Sequence, residues 1–146
     1  MGRPSSRGFR MTAAASRPQP IRFVAIEVDD VARRILVSIT GSAAGPEVSA
    51  TLTELFRTRP ELTGYDMLYD LRTYTGDVTA DDVKPILIAY QAARVPEADG
   101  TRTAFVTSDP NFAFWAEAMT YQFCGREHRV YAQVEEAEAF LRRILN

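Results

Sequence analysis

The sequence contains few residues that form disulfides or bind transition metals. Among its 146 residues there is one cysteine, Cys124, and one histidine, His128. A single cysteine excludes a disulfide within the chain, and one cysteine with one histidine excludes a metal cluster of nitrogen and sulfur ligands in a monomer. The sequence therefore predicts neither a metal nor a cofactor.

Long apolar runs are also missing. No stretch approaches the roughly 20 apolar residues that a membrane-spanning helix requires, and the N-terminus lacks the apolar core of a secretory signal. We therefore expect a cytoplasmic protein without a membrane span. Hydrophobic residues make up 46% of the chain and charged residues 25%, which is typical of a globular domain.

Acidic side chains are absent from the N-terminal end. Residues 1–22 include five arginines and no Asp or Glu, so the net charge of −2 for the whole chain leaves −7 on the remainder. A body of that sign repels phosphate backbones, which argues against nucleic-acid binding. Because residues 1–20 are rich in Pro, Ser, Arg and Ala without periodicity, we expect a flexible basic tail followed by a single domain over residues 21–146.

Hydrophobic patterning predicts that strands and helices alternate after an initial hairpin. Two β-branched runs, residues 23–28 and 35–40, are separated by only a few residues and predict the hairpin. Further strands are predicted at residues 67–71, 103–107 and 129–134. The order β-β-α-β-α-β-α-β-α indicates an α/β fold with a mostly parallel mixed sheet, one antiparallel edge strand and helical cover.

The four helices are indicated by apolar residues spaced three and four apart. For the second helix, Thr79 and Asp82 have the spacing of a capping box, but Pro85 would then lie beyond the first turn, so we expect a start near Asp82. The third helix is expected to begin directly after Asp109, a cap residue that is followed by a proline at the first helical position. The predicted buried residues of the four helices are Val48, Leu52, Leu55 and Phe56; Ile86, Leu87, Tyr90 and Ala93; Phe112, Trp115, Ala116, Met119 and Phe123; and Ala137, Phe140, Leu141 and Ile144.

The rest of the chain is organised around residues 65–79, YDMLYDLRTYTGDVT. Its apolar run does not alternate with polar residues, which is typical of a central strand covered on both faces. Asp70 and Arg72 mark the point where the strand meets water, and Gly76 supplies a turn. Because sites of open α/β sheets lie at the carboxyl ends of strands, we predict the functional site at this loop.

Three stretches carry a resemblance to a known family: YDLRTYTGDVTADDV, RTAFVTSDPNFAFWAEAM and HRVYAQVEEAEAFL. With the element order, they resemble the STAS superfamily, which includes anti-sigma factor antagonists and the cytoplasmic tails of sulphate transporters. The similarity is greatest to its SpoIIAA-like branch, which overlaps in fold with lipid-binding Sec14-type domains. It extends from about Phe23 to the end of the chain.

The resemblance implies a non-enzymatic regulator that binds a partner protein. In anti-sigma factor antagonists a serine of this loop is phosphorylated; here the loop is longer and lacks serine, so Thr73 and Thr75 are the candidate phosphoacceptors. The loop that the resemblance implies as a partner-binding site or phosphoswitch consists of Arg72, Thr73, Tyr74, Thr75, Gly76 and Asp77.

A receiver domain, which binds Mg²⁺ and accepts a phosphoryl group on an aspartate, is an alternative. Asp29 and Asp30 follow the first predicted strand, Asp70 ends a central one and Thr107 ends the next, as in receivers. Two features oppose this interpretation. A strand rather than a helix follows the acidic pair, and the only lysine, Lys84, does not lie at the end of the last strand to stabilise phosphoryl charge.

Cys124 and His128 are four residues apart, but Gly125 is expected to end the helix between them. A reactive thiolate needs a positive environment and an orienting third group, and the sequence indicates neither. We interpret Cys124 as a small residue at a helix end and predict no catalytic residue.

Two aromatic residues of the third helix are predicted to point away from the core. Phe114 and Tyr121, seven residues apart, project together on the side opposite the apolar face, with Ala118 beside them. Such a pair predicts an interface, most simply with a second copy of the chain, or the wall of an apolar ligand pocket. Two unrelated surface aromatics are the remaining explanation.

The function predicted from the sequence is therefore that of a non-catalytic SpoIIAA-like module. It acts through a protein partner or as a homodimer, using the loop of residues 72–77 and the surface around Phe114. The Sec14-type kinship implies a second function, the carriage of an apolar small molecule or lipid.

Overall fold

The structure is a computed structural model that describes residues 23–144. The predicted basic tail, residues 1–20, lies outside them, as do both ends of the predicted domain at residues 21 and 146. Within the described range, no helix is long and apolar enough to cross a membrane.

The elements follow the predicted order β-β-α-β-α-β-α-β-α. Short 3-10 segments at Pro60–Gly64 and Pro96–Ala98, which were not predicted, precede the third and fourth strands. The strands are β1 (Val24–Asp29), β2 (Arg34–Ile39), β3 (Asp66–Asp70), β4 (Thr101–Val106) and β5 (Arg126–Tyr131), and the helices are α1 (Gly45–Thr58), α2 (Ala80–Ala93), α3 (Phe112–Gln122) and α4 (Val134–Leu141).

The five strands form one mixed sheet in the order β1-β2-β3-β4-β5. β1 pairs antiparallel with β2, and the other neighbouring strands pair in parallel. The predicted α/β class and the antiparallel edge strand are therefore confirmed. β3 is the middle strand, and Leu71 directly after it is buried, so the central position predicted for this segment is also confirmed.

The helices cover the two faces of the sheet unequally. Because successive parallel strands are added in one direction, right-handed crossovers place α1, α2 and α3 on the same face. They enclose a core with Ile35, Val37 and Phe105 of the sheet. The other face is covered by α4, which buries a separate, smaller cluster of Leu68, Ala104, Val106, Ala137, Phe140 and Leu141.

α1 forms as its sequence predicts. Pro46 is the second residue of the helix, where the missing N–H breaks no intrahelical bond. Val48, Leu52 and Phe56 are buried, and Leu55 packs against the same core while partly exposed. The helix therefore owes its position to a single apolar stripe, with Pro46 setting its start.

The predicted start of α2 near Asp82 is wrong. The helix begins at Ala80, with Thr79 as its N-cap. The carboxylate of Asp82 accepts hydrogen bonds from the N–H of Thr79 at 2.9 Å and from its hydroxyl at 3.0 Å. This cap holds the first turn in place, although Pro85 cannot donate a hydrogen bond in the second turn.

The predicted start of α3, with Asp109 as its cap, is early by two residues, since Asn111 occupies the cap position. Asp109 instead accepts a hydrogen bond from the N–H of Asn111 at 3.0 Å, which forms a turn before the helix begins at Phe112. The side chain that suggested a cap therefore shapes the connection from β4, while the helix keeps its predicted inward face.

β5 and the end of α4 also differ from prediction. β5 runs from Arg126 to Tyr131, three residues earlier than expected. Ile144, predicted to be buried, is 50% exposed because α4 ends at Leu141 and the chain leaves the helical register before it.

Candidate functional site

The loop of residues 72–77, which follows β3, is held against the end of β2 by backbone hydrogen bonds. The N–H of Gly41 donates to the carbonyl of Thr73 at 3.0 Å, and the N–H of Thr75 donates to the carbonyl of Gly41 at 2.7 Å. These two bonds fix the 72–77 loop at the carboxyl edge of the sheet.

Gly76 allows a close backbone approach within this loop. A Cβ at this position would lie 2.5 Å from the carbonyl oxygen of Ala43 and 2.6 Å from the hydroxyl oxygen of Tyr74. The Tyr74 hydroxyl donates to the same Ala43 carbonyl at 3.1 Å. The glycine predicted to supply a turn therefore also leaves room for Tyr74 to pack across the loop.

The polar residues of the loop face solvent. Nε and Nη2 of Arg72 donate to the carboxylate of Asp70 at 2.9 and 2.8 Å, and this guanidinium lowers the pKa of Asp70. Thr73 and Thr75 are exposed. Phosphorylation of either threonine stays a prediction.

A cavity of about 210 Å³ lies between the sheet and the three helices that cover its larger core. Interiors are normally packed to the density of organic crystals, so a space of this size is unusual in a small domain. Tyr69 and Phe105 form part of its floor. The helices contribute apolar side chains that include Val48, Leu52, Val83, Ile86, Trp115 and Met119.

The cavity meets solvent beside the 72–77 loop. Gly76 and Asp77 of that loop line it, together with Asp109 and Asn111 after β4. Asp77, Asp109 and Asn111 are exposed. The opening therefore lies at the carboxyl edge of the sheet, and two carboxylates stand at it.

The opposite, inner end of the cavity is lined by polar side chains of the sheet. Thr103 of β4 and His128 of β5 share a register, with Met67 of β3 beside them, and Arg126 lies two residues nearer the start of β5. The hydroxyl of Tyr69 lies 3.8 Å from the sulfur of Met67 and so points toward this row. We call Tyr69, Thr103, Arg126 and His128 the inner polar row.

Arg126 is 2% exposed, and its guanidinium bonds to neutral acceptors. No carboxylate among residues 23–144 forms an ion pair with it. Its acceptors, at 2.6–3.4 Å, are the carbonyls of Thr63, Tyr65 and Arg102 and the hydroxyls of Tyr90 and Thr103.

The two titratable neighbours of Arg126 in the inner polar row are neutral. Burial lowers the pKa of His128 to about 3, and the charge of Arg126 acts in the same direction. Nδ1 of His128 is 3.5 Å from the hydroxyl oxygen of Thr120, and within the described part of the chain Nε2 has no hydrogen-bond partner. Burial raises the pKa of Tyr69, while Arg126 opposes that rise. The Tyr69 hydroxyl therefore keeps its proton and can donate it.

Phe114, Ala118 and Tyr121 form one exposed surface on α3, as predicted, and we call it the α3 surface. Phe114 and Tyr121 are 82% and 83% exposed. Phe114 and Ala118 also line a shallow groove between α2 and α3, with Leu87 on its far side. None of the three surface residues lines the 210 Å³ cavity.

The alternative interpretation, in which the acidic residues are arranged as in a receiver domain, is wrong. Asp29 ends β1 opposite the first residue of β2, whereas Asp70 pairs with Ser38 near the last. The acidic pair and Asp70 therefore lie at opposite edges of the sheet, too far apart to share a metal ion. Across residues 23–144, no group of three or more His, Cys, Asp or Glu side chains is placed to hold a metal.

Two members of the inner polar row, Arg126 and His128, were missed by the sequence analysis because β5 was predicted to start at residue 129, after both of them. The signal that could have revealed them is the alternation of Arg126, His128 and Val130, which places all three side chains on one face of a strand beginning at Arg126. The alternation groups the three side chains on one face but does not predict that this face is buried, because a buried arginine is uncommon.

Comparisons with known proteins support the fold. No family model matches the chain, and no curated protein matches it by sequence. The crystal structure of an uncharacterised protein from the DUF3478 family with a SpoIIAA-like fold, from Shewanella loihica PV-4, superposes with a TM-score of 0.58 and 13% identity, covering 86% of this chain and 99% of that one. The chain therefore has a SpoIIAA-like α/β fold, which confirms the resemblance at the level of architecture.

Proposed function

We propose that the protein is a non-catalytic binding module that takes an apolar small molecule into the 210 Å³ cavity. The observation that carries this proposal is the cavity itself, in which apolar side chains surround a space that reaches solvent beside the 72–77 loop. Ligand sites are typically concave and mostly apolar, with a few placed polar groups. This is the function implied as an alternative by the kinship with Sec14-type domains.

The energetic cost of leaving the cavity unfilled favours an occupant. Side chains that line a space of about 210 Å³ make fewer dispersion contacts than side chains of a packed core, and so are less stabilised. A ligand that fills the space recovers part of that loss, because its atoms restore the missing dispersion contacts.

The volume sets the size of the ligand. A dry apolar cavity of about 150 Å³ binds benzene, which has six non-hydrogen atoms, so about 210 Å³ admits roughly eight or nine. Eight-carbon alcohols and acids have that size, whereas a whole phospholipid is several times larger. We therefore expect a small apolar molecule rather than an intact membrane lipid.

Filling the cavity with a larger side chain is expected to block binding. Val83 of α2 is buried and lines the cavity, so the ring of a Val83→Phe variant occupies the space of the ligand. We expect the affinity for the tightest-binding eight-carbon probe to fall by about tenfold or more in isothermal titration calorimetry. The thermal midpoint of the ligand-free protein should be unchanged or higher, since the empty volume shrinks.

The control for this variant is Ile88→Phe, which makes a similar change at an exposed position of the same helix and should bind as the wild type does. Native mass spectrometry of the protein as purified adds a test without a chosen probe, because a retained small molecule is expected. Undiminished binding by Val83→Phe, or no binding of any eight-carbon probe by the wild type, would contradict the proposed function.

Self-association is a second candidate function, favoured by the α3 surface. Phe114 and Tyr121 expose most of their aromatic area on one helix, and soluble monomers rarely expose such patches without use. A two-fold dimer brings the same patch of both subunits together and so covers these rings with a single contact. Regulation through association would then act at a surface separate from the cavity.

The double variant Phe114→Ser, Tyr121→Ser is expected to remain monomeric where the wild type forms a dimer, as measured by light scattering across a concentration series. The control is Val31→Ser with Ile88→Ser, two exposed apolar residues outside the α3 surface, which should leave the dimer intact. A wild type that is already monomeric at every concentration, with a mass that the substitutions do not change, removes this candidate.

The resemblance also leads us to propose that the 72–77 loop contacts a partner protein and that the protein works in the cytoplasm. The exposure of Arg72, Thr73 and Thr75 supports the first of these proposals, since a partner can reach all three side chains.

A further inference from the structure

We propose that the molecule taken by the cavity is an amphipathic acid whose anionic group lies at the inner end, beside Arg126, with its apolar part directed toward the opening. This inference rests on the proposed function and adds the chemical class and orientation of the ligand.

The buried charge of Arg126 is the first observation that favours an anion. Buried charges in proteins are normally paired, since removing an ion from water is costly. Arg126 is 2% exposed, and its five hydrogen bonds go to neutral oxygens. Residues 1–22 contain no Asp or Glu that could pair with it. An anion inside the cavity would supply the missing negative charge.

The second observation is that hydrogen-bonding groups beside Arg126 remain free for a ligand. Within residues 23–144, the one hydrogen-bond partner of the Tyr69 hydroxyl is the weakly accepting sulfur of Met67, at 3.8 Å. His128 is 8% exposed and, among the residues that the structure describes, Nε2 has no partner. A carboxylate can accept from the Tyr69 hydroxyl and from the Nε2–H tautomer of His128. The N–H groups of Arg126 are occupied, so Arg126 acts on the ligand through its field.

The charges at the two ends of the cavity favour one orientation. Asp77 and Asp109 stand at the opening, where their carboxylates repel an anion. Arg126 at the inner end attracts it, and the low-dielectric surroundings strengthen that attraction relative to water. The apolar part of the ligand then lies along the helix side chains, between these two ends.

Three eight-carbon ligands with different head groups test this inference: octanoate, whose apolar chain is one carbon shorter, 1-octanol and octylamine. Measured by calorimetry on the full chain at pH 7.5, octanoate is expected to bind about tenfold or more tighter than 1-octanol, and octylamine more weakly than either. Equal or tighter binding of 1-octanol overturns the inference while leaving the proposed function standing. Tightest binding of octylamine also overturns it, because the head group would then lie at the carboxylates of the opening. Binding of none of the three overturns both.

Variants locate the head group. Tyr69→Phe removes the free donor of the inner polar row and is expected to weaken octanoate by about tenfold, with 1-octanol changed less than about threefold. Tyr74→Phe makes the same chemical change at the opening and should leave the preference for octanoate intact. Arg126→Gln should abolish the preference for octanoate over 1-octanol, but this substitution can unfold the protein. The comparison of Tyr69→Phe with Tyr74→Phe therefore decides where the head group lies. A preference that survives Tyr69→Phe and is lost in Tyr74→Phe would place the anion at the opening and contradict the inference.

Discussion

Replacing Arg126 by methionine is expected to lower the free energy of unfolding by about 3 kcal/mol or more. The substitution removes the five hydrogen bonds of a side chain that is 2% exposed. The carbonyl of Tyr65 then loses a donor at 2.6 Å, and the carbonyl of Thr63 loses a donor at 2.9 Å and keeps a long bond, at 3.4 Å, from the hydroxyl of Tyr90. A buried acceptor that loses its partner costs about 1–3 kcal/mol, and the substitution weakens or removes the hydrogen bonding of both carbonyls.

The substitution also removes the cost of burying the charge of Arg126, and this gain must be smaller than the loss of hydrogen bonds for the expectation to hold. Methionine carries no charge, so the variant escapes the cost of burying a guanidinium without a carboxylate partner. However, hydrogen bonds to a charged group contribute about 1.5–3 kcal/mol each, and Arg126 makes five of them. The bonds also tie β5 to the segment that leads into β3, which methionine cannot do. We therefore expect the loss of hydrogen bonds to dominate.

Urea denaturation followed by circular dichroism at pH 7 measures this effect. The matched control is Arg129→Met on the same strand, where the arginine is exposed and paired with Glu127, so the loss should stay below about 1 kcal/mol. If Arg126→Met changed stability as little as the control does, the burial penalty would cancel the hydrogen bonds, and the structural role assigned to Arg126 would be wrong.

The topology could be predicted from the sequence because it depends on local patterns. The β-branched runs of β1 and β2 and the apolar stripes of α1 and α4 each identify an element without reference to the others. Two local signals compete for the start of α2: the cap at Thr79 favours an early start, and Pro85 favours a later one. The cap prevails because the carboxylate of Asp82 accepts two hydrogen bonds from Thr79, which the sequence does not show. Boundaries of that kind are decided by geometry.

The candidate site could be predicted only in part. The 72–77 loop was placed correctly at the carboxyl edge, and three of its residues, Tyr74, Gly76 and Asp77, line the cavity. The cavity itself depends on how far the helices stand from the sheet, which no local pattern records. Arg126 and His128 were missed because burial of polar residues is made possible by acceptors distant in sequence, such as the carbonyl of Thr63.

Stability is expected to fall with decreasing pH because His128 stays neutral in the folded protein. Burial, together with Arg126, lowers its pKa to about 3 from 6.5. Below pH 6.5 the unfolded chain binds a proton that the folded protein does not, so the stabilisation is complete above pH 6.5 and is lost as the pH falls toward 3. Between pH 7 and pH 5 the loss amounts to about 2 kcal/mol in the ligand-free protein.

The single histidine of the chain makes this effect separable from other titrations. His128→Gln keeps a polar group in the inner polar row but has no ionisable side chain. Carboxylates that titrate near pH 5 affect both proteins equally, so the difference in free energy of unfolding between wild type and variant isolates His128. Urea titrations at pH 7, 6 and 5 should show that difference shifting by about 2 kcal/mol in favour of the variant. Parallel pH profiles would mean that His128 is protonated as readily in the folded protein as in the unfolded chain. The assignment of a neutral imidazole in the inner polar row would then be wrong.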